Sequence, residues 1–382
     1  MGFDLLIAGG NENRLFSKGL MDCLVEVRVE QSLDEPTKFA IRFLDDIENG
    51  QMVKASLPEL AIGQLVTIAV RARDGLKGLV RGPILRTSSK MTLGGPGSSY
   101  QVEGIDRRDE LSREFREGAW SGRASDIATI LLSPVYPAPD VGRTEEMHDP
   151  ERPLPQRGTD LDFLTRNAAQ NGFHFWVSYQ GVAEVPGGTM SVIEQVHWKE
   201  SPALGASAPT RIIDLIPFDE SALPIRWNVP QEQCPNVTGF TLSRDGTRPN
   251  QVRTETQNTG DGGQDAVTAS DTSSPVGGQG QTASQSQTPR FIVPTPQGDA
   301  QSTRTINRAA LREAGFYVKA EVNTTRYLYG DVLEPHQVIP VEGLGGSNGQ
   351  TPFRVQEVTH VVNSQAHFMQ AKLATNAEVA VP

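Results

Sequence analysis

Residues 158–177 read GTDLDFLTRNAAQNGFHFWV, and this window encodes a capped helix, its stop and an aromatic strand. Thr159 followed three residues later by Asp162 forms a capping box, in which each side chain reaches an orphan backbone N–H of the first turn. Leu161, Leu164 and Ala168 fall on one helical stripe. Gly172 stands where a helix closes on a left-handed residue. Phe173, Phe175 and Val177 then alternate with His174 and Trp176, which predicts a strand with one apolar and one amphipathic face.

The flanks widen the picture. Leu5 to Ala8 reads as a first strand. Val25, Val27 and Val29 share one face, and after the LDEP turn Phe39, Ile41 and Phe43 share another, the pattern of a hairpin. A second group follows: IGQLVTIAVRA, a GLKG turn, GLVRGPILRTSS, a Gly-rich turn at GGPGSS, and YQVEGID. Gly and Pro at the junctions suit a curled antiparallel sheet or small barrel.

Together these stretches resemble the hub proteins of contractile injection machines: the phage tail baseplate hub, the late control protein D family and the N-terminal part of the VgrG spikes. The resemblance rests on the helix Asp160, Leu161, Phe163, Leu164, its exit through Gly172 and Phe173, the "GLVRGPI" strand with Gly82 at its bend, and "VEGIDRRDEL" closing on Asp106. A V-x-H step near the end, Val358 to His360, belongs to the same pattern. Where relatives carry Pro-Gly before a late strand, this chain has Pro335-His336.

Composition limits the alternatives. A chain of 382 residues exceeds one ordinary core. With 46 acidic against 35 basic residues, the net charge of −11 opposes general binding of nucleic acid or anionic membrane. Two cysteines, Cys23 and Cys234, do not make a disulfide framework and point to reduced protein. No apolar run approaches the ~20 residues that cross a bilayer, and the first residues lack the basic start of a secretion signal.

The expected architecture is α+β, mainly β, with two similar antiparallel tube-type barrels around a mixed α/β insert. The first barrel covers 1–108 and, as the resemblance implies, is completed by about 209–245. The insert covers 109–208; in it Ile127, Ile130 and Leu131 form a helical stripe that Pro134 stops, and the Pro-rich stretch 134–156 reads as an irregular loop. Residues 254–289, poor in apolar side chains, predict a flexible low-complexity loop. The second barrel covers 290–382. A helix from Thr303 to Ala314, with Ile306, Ala309, Ala310 and Ala314 on one side and Gly315 as its stop, introduces it. EPHQVIPVEGL, PFRVQEVTHVVN and HFMQAKLAT repeat the order of elements seen in IGQLVTIAVRA, GLVRGPILRTSS and YQVEGID.

Catalytic motifs are missing from the sequence. The six histidines show no HExxH or CxxC spacing, and neither a GxSxG elbow nor a GxxxxGK[ST] loop occurs. GGTMS and GLGGSNG suit hairpin turns, His360 reads as a lone structural histidine, and Glu145, Glu146 and His148 as a solvated loop. The chain is therefore read as no enzyme, with no cofactor and no metal. The resemblance implies a structural baseplate hub, a homotrimer whose doubled barrels adapt a sixfold tail tube or tube initiator to a separate threefold spike and line the channel, with other baseplate proteins as further partners. It implies a place in the virion or injection particle after assembly in the host cytoplasm, no specific nucleic-acid binding and no membrane anchor. Part of the acidic charge would line the channel. The alternatives are a baseplate-associated cell-wall hydrolase, which needs only two carboxylates, and the tip protein of a non-contractile tail.

Overall fold

Strands dominate the chain, and their pairing shows a repeat. The structure, a computed structural model, describes residues 5–48, 51–92, 97–145, 153–200, 222–229, 234–245, 251–257, 264–270, 291–292, 300–344 and 350–376. The N-terminal unit contains β1 (Leu5–Gly9), β2 (Leu24–Ser32), β3 (Lys38–Leu44), β4 (Leu65–Ala72), β5 (Gly75–Lys90) and β6 (Ser99–Ile105). The insert follows with β7 (Phe115–Trp120), α1 (Ala124–Leu132), β8 (Asp140–Val141), β9 (Leu154–Thr159), α2 (Asp160–Asn171), β10 (His174–Val185) and β11 (Thr189–Lys199). The remainder contains β12 (Ile225–Arg226), β13 (Gly239–Arg244), β14 (Gln251–Gln257), β15 (Gln264–Ser270), α3 (Ala300–Ala314), β16 (Val318–Thr325), β17 (Val338–Glu342), β18 (Gln350–Asn363) and β19 (His367–Thr375).

In the N-terminal unit the neighbours run β1-β4-β5-β6-β3-β2. In the C-terminal unit they run β12-β17-β18-β19-β16-β13, the same order element for element. Both units turn on a long bent strand. β5 pairs with β4 along its first half and β6 along its second, with a register shift between Ile84 and Arg86. β18 passes from β17 to β19 in the same way, with its shift between Val355 and Glu357. An extra residue at such a point bends the strand and sharpens its twist, so a sheet can curl.

The two units are not separate bodies. β2 pairs antiparallel with β18, from Glu26↔Asn363 to Ser32↔Glu357, which joins them into one sheet. One apolar cluster runs through both, from Ile7, Val27 and Ile41 to Val322, Phe353 and Leu373. The insert has its own cluster around Leu131, Phe163, Leu164, Phe175 and Trp198.

Several expectations are corrected here. Residues 222–245 do not complete the first unit: β12 and β13 pair with β17 and β16, where they stand for β1 and β2. Within 254–289, β14 and β15 pair antiparallel, and Thr254 Oγ1 donates to Asn307 Oδ1 of α3 at 2.8 Å, so hydrogen bonding orders a stretch poor in apolar residues; residues 258–263 and 271–289 lie outside the described ones. The β4–β5 reversal falls at 73–74, because Ala72 faces Gly75, and GLKG opens β5 instead. A shift between Leu24 and Glu26 replaces Val25 by Leu24 on the inner face. Ile130 points outward at 58% exposure while Ile127 and Leu131 are buried. On α3 the expected stripe is buried only at Ala309, with Thr303, Asn307 and Leu311 buried beside it, while Ile306, Ala310 and Ala314 are half-buried. The Pro-rich loop contains β8 and β9, which pair with β11 and β7; Glu146 and His148 lie outside the described residues.

Candidate functional site

The side chains with the most unusual environments gather where the two units and the insert meet. Gly82 sets up this junction. A Cβ there would lie 1.7 Å from the carbonyl oxygen of Ile105, so only glycine lets β5 cross the end of β6 at this distance. The next residue, Asp106, has no solvent exposure. Its carboxylate accepts from Thr37 N at 2.7 Å and Arg108 N at 2.9 Å, and takes the Arg108 guanidinium through Nε and Nη2.

Arg108, itself 1% exposed, reaches further. Nη1 donates to Phe175 O in the insert at 2.6 Å, and Nη2 to Glu35 O in the β2–β3 turn at 2.9 Å. Burial alone would lower its pKa; the Asp106 charge and hydrogen bonds outweigh that and raise it, so the guanidinium stays charged. Tyr136 and Tyr179, held beside it, have pKa values pushed well above the usual tyrosine value by burial first and then by the Asp106 charge.

The helix of the opening motif sits across this junction. Thr159 caps α2, its Oγ1 accepting from Asp162 N at 3.1 Å. The reciprocal half of the capping box differs from expectation, because Asp162 Oδ2 receives the Thr159 hydroxyl at 2.7 Å. Asp160 is buried: it accepts from Gln156 Nε2 at 2.7 Å and faces Arg116 Nη2 at 3.4 Å, which ties α2 to the β7–β9 ribbon. Phe163 and Leu164 are buried, Leu161 half-buried, and Leu164 O accepts from Trp198 Nε1 at 3.0 Å. Gly172 ends α2 at φ 68°, and Phe173 packs edge-on against Trp198 at 5.0 Å. Arg312 of α3 donates to the Gly172 carbonyl and, through Nη1, to Glu200 at 2.8 Å, placing a cation at the negative end of α2.

The expected amphipathic face of β10 is buried too. Trp176 lies flat between two imidazoles: His336 at 3.8 Å and His197 at 4.7 Å between ring centroids, both at 21°. His336 comes from the C-terminal unit and has φ 71°, a left-handed backbone. His174 joins the cluster. Its Nδ1 lies 2.8 Å from Asp34 Oδ1 and its Nε2 3.2 Å from Arg354 Nη1. A guanidinium only donates, so Nε2 accepts and Nδ1–H donates to Asp34. A narrow cleft of about 60 Å³, lined by Arg108, Trp176, Ser178, Glu334 and His336 among others, opens here.

One line of contacts has the order of a nucleophile, base and acid. Ser178 Oγ is 2.8 Å from His197 Nε2, and His197 Nδ1 is 2.7 Å from Asp140 Oδ2. The carboxylate also takes Lys199, and the pKa of Asp140 falls to about 2 because these cation and hydrogen-bond contacts outweigh the raising effect of its burial. Trp176 covers one face of the imidazole. The line binds β8, β10 and β11 to one another.

His360, read from sequence as standing alone, is paired. Its Nδ1 is 3.0 Å from His367 Nε2 and its Nε2 3.1 Å from Gln31 Oε1, across the seam between β2, β18 and β19. Gln31 Nε2 in turn donates to Leu79 O. Among the described residues no group of three or more His, Cys, Asp or Glu side chains is arranged to hold a metal ion.

No protein-family profile matches the chain, and no curated protein matches it. Solved structures do. The 43 kDa tail protein of prophage MuSo2 from Shewanella oneidensis is similar over 98% of this chain and 99% of its own, with a TM-score of 0.63 at 12% identity. A tail protein from Neisseria meningitidis MC58 gives 0.60 at 13% identity, over 98% and 96% of the two chains. This is the fold of phage tail proteins. A chain of the Francisella PdpA–VgrG complex shares it at a TM-score of 0.51 and 10% identity; the present chain covers 58% of that longer one.

Within the tail-protein fold, Gly82 and Asp106 meet, and Gly172 and Phe173 pack against Arg312 and Trp198. His360 belongs to the other seam. Sequence reasoning missed Arg108, the residue that binds the parts together; the basic pair after Asp106 in "IDRRDEL" is the signal that could have found it. His336 was noted only as a departure from Pro-Gly.

Proposed function

We propose that the chain is a structural hub of a tail baseplate or of a phage-derived injection particle. It assembles as a homotrimer whose two units per chain present six similar faces to a tail tube, while a separate threefold spike binds at the other end. The supporting observation is the repeated strand order in a chain whose fold is that of phage tail proteins. A trimer of doubled units is a direct way to pass from threefold to sixfold symmetry, and closed rings leave no strand edge open to aggregation. In this reading the chain is an adaptor without catalysis, placed in the particle tail.

The test is mass and symmetry of the purified protein with tube and spike partners. Three chains of 41.5 kDa give about 125 kDa, and class averages along the axis are expected to show six similar lobes. A particle that remains a monomer at micromolar concentration with both partners present overturns the proposal. Peptidoglycan release by the isolated chain, lost on changing one carboxylate, would replace it with the hydrolase reading.

A further inference from the structure

We propose that the His336–Trp176–His197 sandwich is an acid-sensitive latch, which docks the insert on the C-terminal unit while its imidazoles are neutral and releases it when they are protonated. The inference goes beyond the hub reading and needs only the single chain.

The backbone points to it first. Gly63 and His336 occupy the same place in the two units. Gly63 N donates to Ile84 O at 2.8 Å and Ile84 N to Gln64 O at 2.9 Å; His336 N donates to Val355 O at 3.1 Å and Val355 N to Gln337 O at 2.8 Å. Both residues are left-handed, at φ 88° and 71°. Glycine adopts this backbone freely, whereas a histidine does so under strain. The strain places an imidazole flat on Trp176 across the insert boundary.

The surroundings explain the acid sensitivity. Around His336 stand His174 of β10, His197 of β11, Arg354 of β18 and Arg108. Among the described residues, the carboxylates of this cluster bind other groups: Asp34 has His174, Asp106 has Arg108, Glu313 has Arg354 Nη2 at 2.8 Å, Glu334 has Lys77 at 2.9 Å, and Asp140 has His197 and Lys199. A proton added to His336 therefore places a charge in a desolvated site beside two guanidinium groups. At His174, Nε2 lies 3.2 Å from Arg354 Nη1, which holds that guanidinium beside the stack. Burial first, and these neighbouring charges second, hold His336 well below its ordinary pKa. Below the ordinary imidazole pKa the released form takes up a proton that the docked form resists, so falling pH shifts the latch toward release.

Amide hydrogen exchange on the full chain at pH 7.5 and 5.0, corrected for intrinsic rates, tests this. Protection in 174–178 and 333–340 is expected to fall about tenfold or more per pH unit once protonation begins, while 66–82 in the N-terminal sheet keeps its protection. His336→Asn, which tolerates the left-handed backbone and does not titrate, and His336→Gly are expected to lose the pH step. Equal protection of wild type at both pH values overturns the latch, as does an undiminished step in the variants. A step confined to 358–370 also overturns it, assigning the acid response to the His360 seam. The wild-type comparison decides the matter even if a variant fails to fold.

Discussion

Arg108 and Asp106, two residues apart, form an ion pair with 1% and 0% side-chain exposure whose remaining donors are spent on two other parts of the chain, Phe175 O and Glu35 O. Such a pair contributes little when intact compared with the cost of removing one member, which strands a buried charge. Its effect is to fix how the insert sits on the N-terminal unit. Arg108→Ala is therefore expected to destabilise the protein by about 3–5 kcal/mol in urea unfolding, with Arg113→Ala, whose guanidinium is 55% exposed, costing less. Equal costs would mean that Arg108 is not the joint described.

Gly82→Ala adds a methyl group that would stand 1.7 Å from Ile105 O, so the crossing of β5 over β6 must open. Loss of soluble folded protein, or a thermal midpoint lower by about 3 degrees or more, roughly 2 kcal/mol in a protein of this size, is the expected outcome. Gly118→Ala, with nothing within 4 Å of its Cβ position, is the matched control and is expected to be silent.

On α2, Leu164→Ala should cost ~2–5 kcal/mol by cavity formation, because Leu164 is 1% exposed. Leu161→Ala should cost less, since that side chain is only half-buried. Asp160→Asn is expected to cost about 1–3 kcal/mol, above the value of a surface first-turn carboxylate, because Arg116 loses its charged partner and a buried NH2 replaces one of the carboxylate oxygens. Chemical denaturation of the three variants ranks them.

A fluorophosphonate probe is expected to leave Ser178 unlabelled, since Trp176 and Lys199 hold His197 and Asp140 in a structural clamp. Labelling abolished by Ser178→Ala would show a working nucleophile.

The seam histidine gives a pH prediction with a defined sign. His360 has its pKa held well below the ordinary value by burial, then by His367 and Lys77. The unfolded chain thus binds more protons below about pH 6.5. The contribution is fully present above that pH and falls by about 1.4 kcal/mol per pH unit for each such group as pH drops toward the folded value. Urea midpoints between pH 7.5 and 5 should fall, and His360→Gln should flatten the fall.

The helix, its cap and its left-handed stop were legible from Thr159 to Gly172 because local chemistry decides them. The sheet alternation at Phe39, Ile41 and Phe43 was legible for the same reason. What stayed hidden was partnership. Nothing local says that β13 joins β16 rather than the first unit, since its pattern suits either neighbour. The face of Trp176 looked merely amphipathic because its cover, His336, comes from 160 residues further along the chain. Likewise His360 seemed solitary until β2 supplied Gln31.

The seam between β2 and β18 also bears on how the molecule tolerates being cut. Among the described residues, its seven paired positions are what flanks β2 on that side. A fragment ending before β12 would expose that flank as a bare strand edge, with Val27 and Val29 stripped of their cover from β18, and edges of this kind recruit other chains. The doubled unit is thus a repeat that neither half can leave: one copy alone is a sticky ribbon, and only the two together make a finished surface.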